Sequence, residues 1–329
     1  MDVRLQQLIE CHSTPGDEDE VRELLESVWR DEGWLPERYG SYAIAASGRS
    51  GAADAPVLLV CAHMDSPGYC VDRMRVEPCA NEGRVCVGAT ALGGPTFNGG
   101  SAACVLKTRR GKFLGVLRDL AGEDCEPELR FELEASEAER ADVRRGDRIC
   151  FAPQSQSRGN TFESPFLDNR LGCWLLTRLA AETRAWQSKY QVVLGATACE
   201  EMCGFGANVL AEHIRPALVV VLDTTYESKE QGVLLGGGPV LTVSDASVLL
   251  SPRLRDRVLD LMGRVGVPIQ TEAYNFSGTD ARAFPRRGLT CPVLPVLVPT
   301  RGNHSPCEAA DLRDLEVWVS AIRAIAEQF

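Results

Sequence analysis

The sequence has only four histidines, no CxxC pair, no cluster of basic residues and no long apolar run. Each absence excludes something. No apolar run approaches the ~18 residues that a membrane-spanning helix needs, and the N-terminal MDVRLQQLIE lacks the apolar core of a signal peptide. The expected location is therefore the cytoplasm, away from any membrane. Net charge is −11, and basic residues gather only in short runs such as Arg144-Arg145. That balance argues against nucleic acid as a main partner. The thirteen cysteines are an odd number and are scattered. Most, including Cys61, Cys150, Cys173 and Cys291, sit in apolar segments and read as small buried thiols in a reducing compartment, not as a disulfide framework. Cys199 and Cys203 form a CxxxC, which without a second Cys/His pair is too little for a structural zinc.

What remains is an ordinary globular composition, 44 % apolar and 25 % charged over 329 residues, enough for a large core and about two domains. Helical spacing marks residues 3–12 and 17–31, with Val21, Leu24, Leu25 and Val28 on one face; residues 34–46 read as a strand and turn. After a Gly/Ala/Ser-rich loop over 48–56, the run VLLVCA at 57–62 suits a buried parallel strand. From Tyr69 to Asn160 short β-favouring pieces, at 84–87, 113–117, 129–133 and 148–151, alternate with turns, the texture of a small barrel or sandwich. The α/β pattern returns after Pro165. It predicts helices at 171–181, 207–213, 249–265 and 308–328, and strands at 192–198, 217–222 and 289–298. The expected fold class is α/β, a mixed sheet flanked by helices with a small β-rich, barrel-like domain inserted. The main domain takes residues 1–68 and 161–329, and the insertion takes 69–160.

The stretch QVVLGATACEEMCGFGA, residues 191–207, places two adjacent acids, Glu200 and Glu201, at the end of an apolar strand. Acids are seldom buried in such a place without a partner. Two more apolar strands end alike, VLLVCA in His63-Met64-Asp65 and ALVVVL in Asp223. Sites of open α/β sheets form outside the carboxyl ends of strands. Asp168, at a helix start, and His304, after the last strand-like segment, can reach that edge. His12 and His213 lie on helical segments with no acidic partner in pattern and read as structural. Mixed imidazole and carboxylate ligands suit zinc or a similar divalent ion. A two-metal site, with ions ~3.5–4 Å apart, calls for a bridging carboxylate. His63 and Asp65 project to one side of an extended segment, so Asp65 can accept the second imidazole N–H and orient the ring. One of Glu200 and Glu201 can bind metal while the other serves as a base; spacing does not say which.

The order HMD, LDNR, EE, LDT, HSP, together with Gly236-Gly237-Gly238-Pro239, Gly278-Thr279-Asp280-Ala281 and Pro299-Thr300-Arg301, resembles the tetrahedral (glutamyl-type) aminopeptidase family of dinuclear metallopeptidases. The resemblance covers essentially the whole chain. From position 63 to position 168 is 105 residues, so the insertion falls between the first two ligand positions. Aminoacylase and carboxypeptidase-like relatives insert a domain later, and aspartyl aminopeptidases have longer chains. The resemblance implies one metal on His63 and Asp223, another on Glu201 and His304, Asp168 bridging, Glu200 as general base and Asp65 behind His63. It implies two divalent ions per subunit, zinc or cobalt, short peptides as substrates, and a large homo-oligomer, a tetrahedral dodecamer built partly through the inserted domain. The expected activity is release of N-terminal residues. A related amidohydrolase on the same scaffold (a deacylase or carboxypeptidase) is the nearest alternative, and a non-catalytic assembly protein a more distant one. Gly302-Asn303 and the acidic TTYESKEQG after Asp223 depart from the family and bear on specificity. Glu227 and Glu230, if they line the pocket, would favour basic N-terminal residues.

Overall fold

A computed structural model describes residues 2–48, 55–78, 83–97, 100–120 and 128–329; most of the loop expected over 48–56 lies outside them. The chain opens with α1 (Val3–Glu10) and α2 (Asp19–Asp31), whose apolar residues at helical spacing, among them Leu5, Leu8, Val21, Leu25 and Trp29, are buried. The hairpin β1 (Leu35–Tyr39) and β2 (Ala43–Ser47) follows, then β3 (Val57–His63).

The next strands are β4 (Gly68–Pro78), β5 (Arg84–Leu92), β6 (Ser101–Thr108), β7 (Gly111–Asp119), β8 (Leu129–Glu134) and, after a short helix α3 (Ala135–Ala141), β9 (Arg148–Phe151). They close into a barrel in the order β4-β5-β8-β7-β6-β9. Alternate residues point inward, so Cys104, Leu106, Leu117, Phe131, Leu133, Ile149 and Phe151 fill the interior. The four β-favouring pieces read from the sequence are each part of one of these strands. β4 and β6 escaped that reading because β4 alternates charged with apolar residues and β6, SAACVLKT, is rich in small ones.

Beyond the barrel, β10 (Gln156–Arg158) and β11 (Thr161–Ser164) already pair in the large sheet, although they lie at the end of the expected insertion and just beyond it. The chain continues through α4 (Leu167–Glu182), β12 (Gln191–Thr197), α5 (Phe205–His213), β13 (Leu218–Tyr226), β14 (Val240–Ser244), α6 (Pro252–Val265), β15 (Gln270–Ala273), α7 (Ala283–Arg286), β16 (Val293–Arg301), β17 (Glu308–Asp311) and α8 (Leu312–Gln328). The large sheet runs β1-β2-β12-β3-β13-β16-β17-β11-β10, with β14 and β15 paired off this path. Its centre, β12-β3-β13-β16, is parallel. Those four strands are almost wholly buried, which is why their sequences are continuous apolar runs instead of alternating ones.

Four expectations need correcting. Residues 308–311 form β17, not the first turn of the last helix; Asp311 caps α8 by accepting from the Arg313 N–H. Ser251 caps α6 in the same way, so Leu249 and Leu250 precede that helix. His12 lies beyond the end of α1 and does have an acidic partner, Asp17, 3.5 Å away. Cys61, Cys150 and Cys173 are buried free thiols, whereas Cys291 is only half-buried. No helix among the described residues is long and apolar enough to cross a membrane.

Candidate active site

The parallel registers bring the strand ends together. Thr197 pairs with His63, and Leu222 with Ala62, so the residues that follow, Glu200 and Glu201 on one side and Asp223 on the other, flank His63. Asp168 enters from the first turn of α4, where it and Asn169 leave helical geometry, and His304 from the loop after β16. His63, Asp168, Glu200, Glu201, Asp223 and His304 all line one cavity of about 170 Å³. His63 Nε2 is 3.2 Å from Asp168 Oδ1 and 3.3 Å from Asp223 Oδ1. His304 Nε2 is 3.6 Å from Asp168 Oδ2 and 3.5 Å from Glu201 Oε2. The two oxygens of Asp168 thus face two different imidazoles.

The residues behind this cluster do more than the sequence reading assigned them. His63 Nδ1 donates to the Asp65 carbonyl at 3.1 Å, and the nearer Asp65 carboxylate oxygen is 3.6 Å away. That carboxylate also accepts the Glu200 and Glu201 backbone N–H groups, one on each oxygen and both at 3.1 Å. Asp65 therefore braces the turn that carries the two acids. Asn303, expected to bear on specificity, is buried; its Nδ2 reaches Thr224 Oγ1 at 2.9 Å and Asp168 Oδ2 at 3.4 Å, and Thr224 Oγ1 donates to Asp168 Oδ2 at 2.9 Å. Glu227 and Glu230 do not line the cavity. Glu227 is paired with Arg301 at 2.6 and 2.9 Å, so the condition for a basic preference, that these two acids line the pocket, is not met.

Three further positions were not singled out in the sequence. Glu308 accepts the backbone N–H of Asp168 at 2.9 Å and of His304 at 2.8 Å, fixing the two residues relative to each other across the site. Arg282 donates to Glu200 Oε1 at 2.9 Å. Arg170, fully buried, gives its guanidinium to the carbonyls of Leu8, Met64 and Ser13 and to Ser66 Oγ, holding the loop after His63. The signal for Arg170 was present, since a charged residue beside an apolar helix must find acceptors; for Glu308 and Arg282 nothing local distinguished them. Phe166, Cys199 and His304 have positive φ, three of the four such non-glycine residues among those described, and all three border the site. Strained backbone of this kind is retained where surroundings over-determine it.

The charge balance is one-sided. Asp65, Asp168, Glu200, Glu201 and Asp223 converge with one arginine and two histidines, all but Arg282 and His304 well buried. Burial pushes the Glu200 and Glu201 carboxyls well above the usual range, and Asp223 up to about 6. Burial alone would also raise Asp168, but His304 and His63 hold it down. Asp168 Oδ1 and Glu201 Oε1 have no hydrogen-bond partner. With His63 Nδ1 donating to a carbonyl, Nε2 is the ring atom that faces two carboxylate oxygens; against burial, the carboxylates raise the ring's pKa, and a cation taking the place of the Nε2 proton would meet its lone pair. Imidazoles and carboxylates converging in a buried, acid-rich site suit a divalent cation, and His63, Asp168 and Glu201 offer ligand atoms within 4.8 Å of one another.

A family model described as M42 glutamyl aminopeptidase matches residues 43–320. The chain belongs to this family. Among relatives, the putative aminopeptidase of Acetivibrio thermocellus is 30 % identical over 187 residues, and that match spans little more than half of either chain, 55 %. The glutamyl aminopeptidase of Lactococcus lactis is 26 % identical over 348 aligned positions, covering 98 % of this chain and 94 % of its own. The TET1 peptidase of Pyrococcus horikoshii, described as able to assemble into a tetrahedron or a large octahedral shell, has the same fold, with a TM-score of 0.83 over 99 % of both chains at 23 % identity.

Proposed function

We propose that this M42 chain is a dinuclear metal-dependent aminopeptidase that releases N-terminal residues from short peptides. The observation that carries the reading is Asp168, whose two oxygens face His63 with Asp223 on one side and His304 with Glu201 on the other. His63 and Asp223 would hold one ion, Glu201 and His304 the other, with Asp168 shared; imidazole and carboxylate ligands suit zinc or cobalt. When bound, such ions supply Lewis acidity to the scissile carbonyl and lower the pKa of water.

Glu200 is the base. It lines the cavity but takes its hydrogen bond from Arg282, not from either histidine, so one oxygen is oriented and the other is free for a proton. It takes a proton from the attacking water and delivers it to the leaving amine nitrogen. Arg282, reaching the Glu200 carbonyl at 3.3 Å as well, fixes that side chain's rotamer. Self-association into a large homo-oligomer, with the barrel contributing contacts, is inferred from the assembly described for the Pyrococcus peptidase.

The test uses metal-loaded protein and matched peptides with free or acetylated N-termini. Cleavage of the free-amine series alone is expected, and cleavage of the blocked series would make the protein a different amidohydrolase. Glu200→Gln should keep its metal, by elemental analysis, and lose on the order of 10²–10⁴ in kcat. Turnover retained in that variant would remove Glu200 from the mechanism.

A further inference from the structure

The cavity's remaining lining decides which side chain it receives. Apart from the six acids and histidines, the cavity is lined by Thr224, Thr225, Tyr226, Phe276, Ser277, Gly278 and Asn303, none of them charged. Their polar groups are largely committed inward. Thr224 bonds Asp168, Thr225 Oγ1 donates to Glu272 at 2.6 Å, and Asn303 bonds Thr224 and accepts from Thr300. The nearby charges are consumed as well. Glu227 is paired with Arg301, Arg282 with Glu200, and Glu272 accepts from Thr225 and Thr242. Outside the cluster of acids and histidines, an acidic substrate residue would find no cation in this lining, and a basic one no carboxylate.

Aromatic surface, in contrast, is in excess. Phe276 is 91 % exposed, the highest value among the large apolar side chains described, and it stands at the cavity rim. Its ring packs on Tyr274 at 5.7 Å between centroids, and Tyr274 on Tyr226 at 6.4 Å. Tyr226 and Phe276 both line the cavity, and Tyr274 bridges their rings. An aromatic ring this exposed gains by being covered, and what lies beside it is the position where a substrate must bind.

We infer that the enzyme selects a neutral, apolar N-terminal residue of the leucine, methionine or phenylalanine class, packed against Tyr226 and covered by Phe276. This rests on the aminopeptidase reading and specifies its substrate. Apolar burial of the substrate residue is present in both ground and transition state, so it lowers KM more than it raises kcat.

The experiment measures kcat/KM of the metal-loaded full chain on leucyl, phenylalanyl, glutamyl and lysyl p-nitroanilides. The melting shift caused by the four free amino acids is read in parallel. Leucyl and phenylalanyl substrates should exceed the charged pair by on the order of 10–200-fold, with the larger melting shifts. Phe276→Ala should raise KM for leucine about tenfold with kcat changed far less, and Phe276→Leu should restore most of it. Preference for glutamate or lysine, or unaltered selectivity in Phe276→Ala, overturns the inference while leaving the peptidase reading intact. If no anilide is cleaved, the peptidase reading fails, and the melting shifts still decide which side chain the cavity takes.

Discussion

Asp65 shows how much one side chain carries here without reaching the cavity. Each carboxylate oxygen takes one backbone N–H, from Glu200 and from Glu201. A charged acceptor makes such bonds worth about 1.5–3 kcal/mol each. Asparagine has one acceptor oxygen and would turn an NH₂ group toward the second N–H. Asp65→Asn is therefore expected to lower turnover on the order of 10–100-fold and to reduce the metal retained after dialysis, measured by elemental analysis. Full activity and full metal content in that variant would show that the brace is dispensable. The sequence made Asp65 visible as the third residue of HMD and pointed to the imidazole, whose Nδ1 is 3.6 Å from the carboxylate. The two backbone groups that the carboxylate also holds lie more than a hundred positions away, beyond local spacing.

Among the elements, the parallel strands explain why the site was legible at all. VLLVCA, VVLGAT and LVVVLD are buried on both faces, so their apolar runs are unbroken, and a charged residue at their ends stands out. β17 was misread for the opposite reason: Glu308-Ala309-Ala310-Asp311 has no strand signature, and pairing with β11 and β16 overrides its helical propensity. The connection between α1 and α2, together with the first turn of α2, meets the barrel. Lys107 of β6 reaches Asp17 at 2.8 Å, Lys112 of β7 reaches Glu20 at 2.6 Å, and Arg148 of β9 reaches the Pro15 carbonyl at 3.2 Å, which ties the barrel to the main domain. His12 is buried in this junction against Asp17 and Cys150. Burial by itself would lower its pKa, but Cys150 and Asp17 outweigh that and raise it from 6.5 to about 9. A group with a raised folded pKa stabilises fully below its unfolded value and loses that contribution as pH climbs through the folded one. The melting temperature is expected to fall between pH 6.5 and about 9, and His12→Gln should flatten that slope. A slope identical in both proteins would place the titration elsewhere.

For the whole molecule, the decisive quantity is the size of the particle in solution. The barrel is closed on itself and packed around its own core, so it is not needed to cover the large sheet and is free to serve as a contact surface. Sedimentation velocity of active, metal-loaded protein should show a large homo-oligomer; an active, strictly monomeric species would contradict the inferred assembly. What the amino-acid sequence determined alone is whatever depends on neighbours a few positions away: apolar runs long enough to be central strands, acids and imidazoles at their ends, and the β texture of the barrel. Tertiary structure decided the rest. It alone placed Glu308 behind both Asp168 and His304, turned Asp65 toward the two glutamates, paired Arg282 with Glu200, and neutralised Glu227 with Arg301. Those outcomes depend on distances between residues from different strands and loops, and such distances are set by how the sheet packs, not by spacing along the chain.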